Sequence, residues 1–327
     1  MSKILITGGA GFIGSNLCDY FVNAGHEVIC LDNFSTGHIS NIQHLIDKYT
    51  NFQLIEGDIR NFETCLKASK GVDYILHEAA LGSIPRSIND PITTNDVNIC
   101  GFLNMLVAAR DCNVKRFVFA ASSSTYGDST ELPKVEERIG KPLSPYALTK
   151  YVDELYADVF SKTYGTEYIG LRYFNVFGKR QDPDSMYAAV IPLFIRQLFL
   201  HKPPHINGDG SITRDFTYID NVVKMNVLAI EIENKSAINQ VYNTAGGEEI
   251  SILQLANNLI ALLSKFDDQI NLIRPEFGDA RKGDIQHSKA SIEKARRLLG
   301  YEPVVTFIDG LKETVNWYNQ NIKRKYQ

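Results

Sequence analysis

Thr7-Gly8-Gly9-Ala10-Gly11-Phe12-Ile13-Gly14-Ser15 decides the fold of this 327-residue chain. The stretch follows the apolar run Ile4-Leu5-Ile6 and opens a segment with helical apolar spacing, Phe12-Ile13, Leu17 and Tyr20-Phe21. One glycine lets the chain turn sharply out of a strand. A second lets the backbone approach a pyrophosphate, and a third lets the next helix pack close to a sheet. The start of that helix offers unpaired N–H groups to phosphate oxygens. A glycine-rich loop alone is often only a turn; a strand before it and a helix after it make it a dinucleotide cradle. Gly8, Gly11, Phe12, Ile13 and Gly14 are therefore the first cofactor-binding candidates.

The next apolar run, Glu27-Val28-Ile29-Cys30-Leu31, ends at Asp32. An acid there accepts hydrogen bonds from the adenosine ribose hydroxyls and repels a 2′-phosphate. Asn33 follows, with no Arg beside it to hold such a phosphate, so the sequence favours NAD over NADP. Asp32 also fits a simple turn cap, but its place about 20 residues past the loop favours the ribose.

Composition sets the bounds. The chain is 44% apolar and 22% charged, as soluble globular proteins are, and long enough for two lobes. A net charge of −4 gives no global field for nucleic acid, and the short basic run Lys323-Arg324-Lys325 reads as a solvated end. No apolar run reaches the length of a membrane span. Met1-Ser2-Lys3 leads straight into the first strand and Gly8-Gly9 interrupts its apolar run, unlike a signal peptide. The cysteines Cys18, Cys30, Cys65, Cys100 and Cys112 are odd in number and lack C-x-x-C spacing. They are expected to be small buried apolar residues in a reducing compartment, with a cytoplasmic location and no metal site.

Apolar runs at 3–7, 27–32, 52–56, 73–77, 116–121 and 167–173 alternate with helical patterns at 12–24, 61–69, 95–112 and 145–164. Strands separated by helices imply βαβ units and a doubly wound parallel Rossmann sheet, the expected α/β fold. The second half loses that rhythm. It carries Pro183, Pro192, Pro203-Pro204, Pro275 and Pro303, with helical patterns near 187–201, 252–264, 289–299 and 308–323. The expected division is a cofactor domain over 1–175 and, over 176–327, mainly a smaller α-rich substrate-binding lobe, some of whose segments return to the sheet. Ligands of open α/β sheets bind at the carboxyl edge, where that lobe would lie.

Tyr146-Ala147-Leu148-Thr149-Lys150 carries the chemistry. Tyr and Lys four apart on a helix share a face, and an ammonium stabilises a nearby phenolate. A phenolate takes a proton from a sugar hydroxyl as hydride leaves the carbon. Ser144 suits the helix cap and Pro145 its first turn. Alone, Tyr-x-x-x-Lys is a common helix surface. Upstream, however, the apolar run Phe117-Val118-Phe119-Ala120-Ala121 ends in Ser122, Ser123 and Ser124, at the edge where ligands bind. A serine there can hydrogen-bond the same reacting oxygen.

With these motifs in view, the chain resembles the extended short-chain dehydrogenase/reductase family, and within it the UDP-hexose 4-epimerases, over nearly its whole length. Thr7 to Gly14, Asp32-Asn33, Gly57-Asp58-Ile59, His77-Glu78-Ala79-Ala80, Ser122-Ser123-Ser124 and Tyr146 to Lys150 carry the resemblance. It implies Tyr146 as base and Lys150 as its tuning and ribose-binding partner. Asp58 and Ile59 would flank the adenine, and Ala79-Ala80 the pyrophosphate and nicotinamide side. Counting back from Tyr126 makes Ser122 the catalytic serine, with Ser123 and Ser124 still open. His77 is weighed as a base against a structural hydrogen-bonder. In the second half, Arg172-Tyr173-Phe174-Asn175 resembles the segment whose asparagine contacts the sugar nucleotide. Thr213-Arg214-Asp215-Phe216 resembles the one whose arginine reaches the diphosphate. Arg281-Lys282-Gly283-Asp284 resembles R-x-G-D, with Arg281 on the phosphates and Asp284 on the ribose or uracil. Two arginines can neutralise a metal-free diphosphate.

Ser123-Ser124 offers no carboxylate for expelling water, which disfavours dehydration and favours oxidation and re-reduction at C4. Gly82-Ser83-Ile84-Pro85-Arg86 resembles the branch acting on N-acetylated UDP-hexosamines or their uronates, and Ser83 joins the substrate candidates. Ser288, seven residues after Arg281, falls where the family restricts the sugar 2-substituent; its alternative is to cap a helix near Lys289. The expectation is an NAD-dependent UDP-GlcNAc/UDP-GalNAc 4-epimerase, a homodimer through 95–112 and 145–164, with no nucleic-acid or membrane partner. The alternatives are a UDP-hexosamine-uronate 4-epimerase, a UDP-glucose/galactose 4-epimerase, a UDP-glucuronate decarboxylase, or a non-catalytic NAD-sensing protein.

Overall fold

In the computed structural model, which describes residues 1–280 and 286–326, successive apolar residues of each short run face opposite sides of one sheet. The first six strands are β1 (Lys3–Thr7), β2 (Glu27–Asp32), β3 (Phe52–Glu56), β4 (Tyr74–His77), β5 (Arg116–Ser122) and β6 (Tyr168–Tyr173). Ile4 and Ile6 of β1 enter one buried cluster with Leu17, Val28 and Val118. Leu5, between them, enters a second cluster with Ile29, Phe102 and Phe117. Both faces are covered, as a parallel sheet requires. The order is Gln240–Thr244, β6, β5, β4, β1, β2, β3, with every neighbouring pair parallel. The order reverses between β1 and β4, and ligands of such sheets bind at that switch point.

The helices of the first half are α1 (Phe12–Asn23), α2 (Gln43–Lys48), α3 (Phe62–Ser69), α4 (Ile84–Asn89), α5 (Pro91–Asn95), α6 (Gly101–Asp111) and α7 (Pro145–Tyr164). Those of the second are α8 (Val190–Phe199), α9 (Ile219–Glu231), α10 (Ile252–Leu263), α11 (Glu293–Leu299) and α12 (Phe307–Asn321). Helix α7 starts as its sequence dictates. The Ser144 Oγ accepts the Ala147 N–H at 3.1 Å, Pro145 occupies the first turn, and Gly165 closes the far end with φ 73°. Beyond β6, short strands His205–Asn207 and Glu276–Gly278 pair with each other, as do Thr213–Arg214 and Ile250–Ser251. Among the described residues no helix is long and apolar enough to cross a membrane.

Several expectations shift. The helix at 95–112 is broken: α5 ends at Asn95, a π-turn spans Asp96–Cys100, and α6 begins at Gly101. The turn carries Asn98 inward, where it bonds both main-chain groups of Leu81 and the hydroxyl of Thr149. The helix expected at 289–299 begins only at Glu293, because Lys134 pairs with Ala290 and holds the preceding residues extended. Strand Gln240–Thr244 and helix α9 were not read from the sequence. The cysteines are all free, but Cys100 is exposed and Cys112 half-buried, so only Cys18, Cys30 and Cys65 are the core residues expected.

Candidate active site

The turn from β1 into α1 rests on glycines where a side chain would not fit. Gly8 has φ +66°, and a Cβ there would lie 2.8 Å from the Ala79 nitrogen; a Cβ on Gly14 would lie 2.2 Å from the Gly8 carbonyl oxygen. This turn opens a cleft at the switch point. Gly8, Gly11, Phe12, Ile13 and Gly14 form one wall. Asp32 and Asn33 after β2, Asp58 and Ile59 after β3, and Ala79 and Ala80 after β4 complete it. Asp32 is fixed by the main chain: Oδ2 accepts from Ala10 at 2.9 Å and Oδ1 from Phe34 at 2.8 Å. Arg60 forks Asp58 at 2.7 and 3.0 Å, and with Asn33 it holds that carboxyl down at about 2. The lining residues include three carboxylates and no lysine or arginine. A 2′-phosphate would meet the Asp32 carboxylate and an Arg60 already engaged by Asp58, whereas NAD fits the glycine cradle and the acid at the end of β2.

At the strand end beyond Leu76, the structure favours the second of the two readings of His77. His77 Nδ1 lies 2.9 Å from the Thr7 hydroxyl, and its ring packs against Phe102 and Phe117. Burial drops its pKa to about 3, so it is a neutral structural hydrogen-bonder. Glu78, unassigned from sequence, lines the cleft. Its Oε1 accepts the Tyr173 hydroxyl at 2.9 Å, Asn226 donates to that hydroxyl, and Oε2 is covered without a partner. Burial pushes the Glu78 carboxyl up to about 7.

Helix α7 brings its paired residues to the same edge. Lys150 is buried and its Nζ donates to the Ala120 carbonyl at 2.8 Å. Tyr146, one turn earlier, is half-buried. At the end of β5, the Ser122 Oγ accepts both the N–H and the hydroxyl of Ser124, at 3.1 and 2.9 Å, leaving its own O–H to donate. Ser123 and Ser124 begin the 3₁₀ turn Ser123–Tyr126 and are half-buried. Asn98 fixes α7 at Thr149, and Arg172 fixes it through a forked pair with Glu154 at 2.8 and 2.7 Å. The sequence reading missed Asn98, Glu154 and Glu78; an inward π-turn and a buried ion pair leave no local periodic signal.

A second cleft opens beyond β6. Asn175 and Arg214 line it with Ile84, Ile206 and Phe216. Asn175 is exposed at φ +34°, its amide donating to the Asp215 carbonyl at 2.9 Å. Asp215 is buried and braces this wall, accepting from Gly246, Gly247 and Ala290; burial lifts its carboxyl to about 7. Ser83 sits between Gly82 of the first cleft and Ile84 of the second, and its Oγ caps α4 by accepting from Arg86. Ser288 is half-buried, its carbonyl accepting the Asp215 N–H at 3.0 Å, and lines neither cleft. It does not cap a helix, since α11 starts five residues later. Arg281 and Asp284 lie outside the described residues.

A glycine-rich phosphate turn, an acid at the end of β2, and a Tyr-x-x-x-Lys helix against a serine-bearing strand end together define a dinucleotide-dependent Rossmann enzyme. The chain belongs to the NAD dependent epimerase/dehydratase family, whose pattern matches residues 4–245. NAD is its cofactor. It is similar to the UDP-N-acetylglucosamine 4-epimerase from Methanobrevibacter ruminantium M1 in complex with UDP-N-acetylmuramic acid. That structure is 36% identical, with TM-score 0.90, over 98% of this chain and 99% of that one. The UDP-glucuronic acid 4-epimerase from Bacillus cereus, in complex with UDP-glucuronic acid and NAD, is 34% identical, with TM-score 0.86, over 97% and 99% of the two chains. The UDP-glucose 4-epimerase of Mycolicibacterium smegmatis is 33% identical over 97% of this chain and 98% of that protein.

Proposed function

We propose that this protein is a UDP-sugar 4-epimerase that interconverts UDP-GlcNAc and UDP-GalNAc. The observation that carries the reaction is the meeting of α7 and the end of β5 at the carboxyl edge of the sheet: buried Lys150, half-buried Tyr146 and the donating hydroxyl of Ser122. NAD, when bound, supplies the acceptor and donor of hydride for C4. Tyr146 takes the O4 proton, and the Lys150 ammonium favours the phenolate that does so. Ser122 donates a hydrogen bond to O4, with Ser124 orienting it and Ser123 beside them. The resulting 4-keto sugar turns within the pocket and is reduced on its other face, while Tyr146 returns the proton. Asn175 and Arg214 receive the nucleotide in the second cleft, with Ser83 between the two clefts; Arg281 and Asp284 are assigned to the diphosphate and ribose. No carboxylate stands at Ser123-Ser124 to expel water, which supports epimerisation over dehydration.

The N-acetyl preference is the finer part of the reading. Similarity to the Methanobrevibacter enzyme supports it; Ser288, which lines neither cleft, adds nothing to it. Incubating the protein with UDP-GlcNAc, UDP-GalNAc, UDP-Glc, UDP-Gal and UDP-glucuronate, and resolving the products, tests it. Fastest turnover of a sugar without an acetamido group would replace it with the corresponding epimerase.

The partner we assign is a second copy of the chain. Leu148, Val152, Leu155 and Val159 form an apolar stripe along the outside of α7, three of them exposed, near Ile92 at 80% exposure. Leu155→Arg should convert a dimer to a monomer by sedimentation; an unchanged mass would remove this assignment. Five free thiols suit the cytoplasm, where we place the protein.

A further inference from the structure

Behind the Tyr146–Lys150 face of α7 lies a carboxyl group with no part in the reaction as described. Asp153 stands almost one turn after Lys150, its side chain 1% exposed against 3% for the lysine. The Lys150 Nζ is 3.5 Å from Asp153 Oδ2 and 2.8 Å from the Ala120 oxygen. Asp153 Oδ1 is covered and has no partner. A buried carboxyl with an unused oxygen is a costly way to fill space, and an apolar side chain of similar size would do so better. The adjacent acid is different: both Glu154 oxygens are taken by Arg172. What singles Asp153 out is that, among the described residues, its one oppositely charged partner is the lysine assigned to the reaction.

We propose that Asp153 is a positioning residue for Lys150, giving the buried ammonium a second anchor and a counter-charge and so setting the field that reaches Tyr146. This rests on the reading of Tyr146 and Lys150 as the proton-handling pair. An ammonium has three N–H donors. Ala120 takes one and Asp153 faces another, which leaves the third for the cleft. Around Asp153, burial raises its carboxyl and Glu154 adds to that, while Lys150, 3.5 Å away, pulls it toward ionisation; the close buried pair is read as an ion pair. From β4, His77 and Glu78 are the further titratable groups in the field of Lys150. A negative charge on Asp153 raises the proton affinity of both Lys150 and Tyr146; its removal lowers both.

The test uses the NAD-loaded enzyme. Asp153→Asn keeps the shape and removes the charge; Asp153→Ser is a second neutral variant should the amide disturb folding; Asp153→Glu keeps the charge. Two quantities are read: the pH profile of kcat, and the tyrosinate absorbance of Tyr146, taken as the difference from the Tyr146→Phe protein. In the neutral variants the Tyr146 midpoint and the alkaline limb of kcat should both move to lower pH, by about one unit. The glutamate variant should stay within a few tenths of a unit of the wild type. Unmoved midpoints in the neutral variants, with only a lowered melting temperature or a pH-independent loss of kcat, would overturn the inference. If Tyr146→Phe is inactive when that happens, this inference alone fails; if Tyr146→Phe turns over normally, the parent reading fails and takes this one with it.

Discussion

At Tyr146 one oxygen atom separates a base from an inert ring. Its hydroxyl has no hydrogen-bond partner among the described residues, so Tyr146→Phe removes no bond that holds the fold. The variant should keep its melting temperature and its NAD, released by heat and identified as NAD rather than NADP by chromatography. Epimerisation should fall by about 10²–10⁴-fold or more. Turnover within tenfold of the wild type would sink the mechanism. Ser288 offers a test of sugar size. Because α11 begins at Glu293, the residue is free of the capping role its sequence position suggested, and its main chain is held by Asp215. Because Ser288 also lines neither cleft, Ser288→Tyr should leave the ratio of activity on UDP-GlcNAc and UDP-GalNAc to that on UDP-Glc and UDP-Gal within about twofold of the wild type. A selective loss on the two N-acetyl sugars would instead put a gate for the 2-substituent there.

At the scale of elements, the β1–α1 turn is the most constrained part of the chain. A methyl group on Gly14 would press on the Gly8 carbonyl, a backbone group that cannot rotate away. Gly14→Ala should destabilise the fold by about 1–3 kcal/mol and release NAD during purification. Gly25→Ala is the contrast: its φ is +85°, but nothing lies within 4 Å of the new methyl. It should cost stability alone, and loss of NAD from both variants alike would show that strain rather than the cradle governs retention. The difference explains what was legible. The turn, the acid after β2 and the Tyr146/Lys150 pair are local demands, met by residues a few positions apart. Strand Gln240–Thr244 is not local: its buried Asn243 is satisfied by Tyr126, Lys134, Glu136 and Ser291, all distant in sequence. The start of α11 depends on Lys134 in the same way. Asn98 escaped notice because a π-turn shifts the periodicity on which a helix is read.

Over the whole molecule, the buried carboxyls set a dependence on pH that runs opposite to the usual one. In the unfolded chain Glu78 and Asp215 lose their protons near pH 4. Folding holds them to about 7 in each case, burial being the main cause. Between those limits the folded state binds more protons, so stability falls as pH rises. Two groups act the other way. Asp58, at about 2, contributes stability present above pH 4 and lost below it. His77, at about 3 when folded and near 6.5 when unfolded, makes stability rise with pH only up to about 6.5. From pH 6.5 to 8 the carboxyls are left unopposed by these two. Urea denaturation at pH 6.5 and pH 8 should therefore give the lower stability at pH 8, a proton held over one pH unit being worth about 1.4 kcal/mol. Asp215→Asn should flatten that decline while lowering stability at both values, because one amide oxygen cannot replace two carboxylate oxygens that accept from Gly246, Gly247 and Ala290. A wild-type stability that rises from pH 6.5 to 8 would mean that the donors to Glu78 and Asp215 outweigh burial, and that these two carboxyls are already ionised in the folded protein at neutral pH.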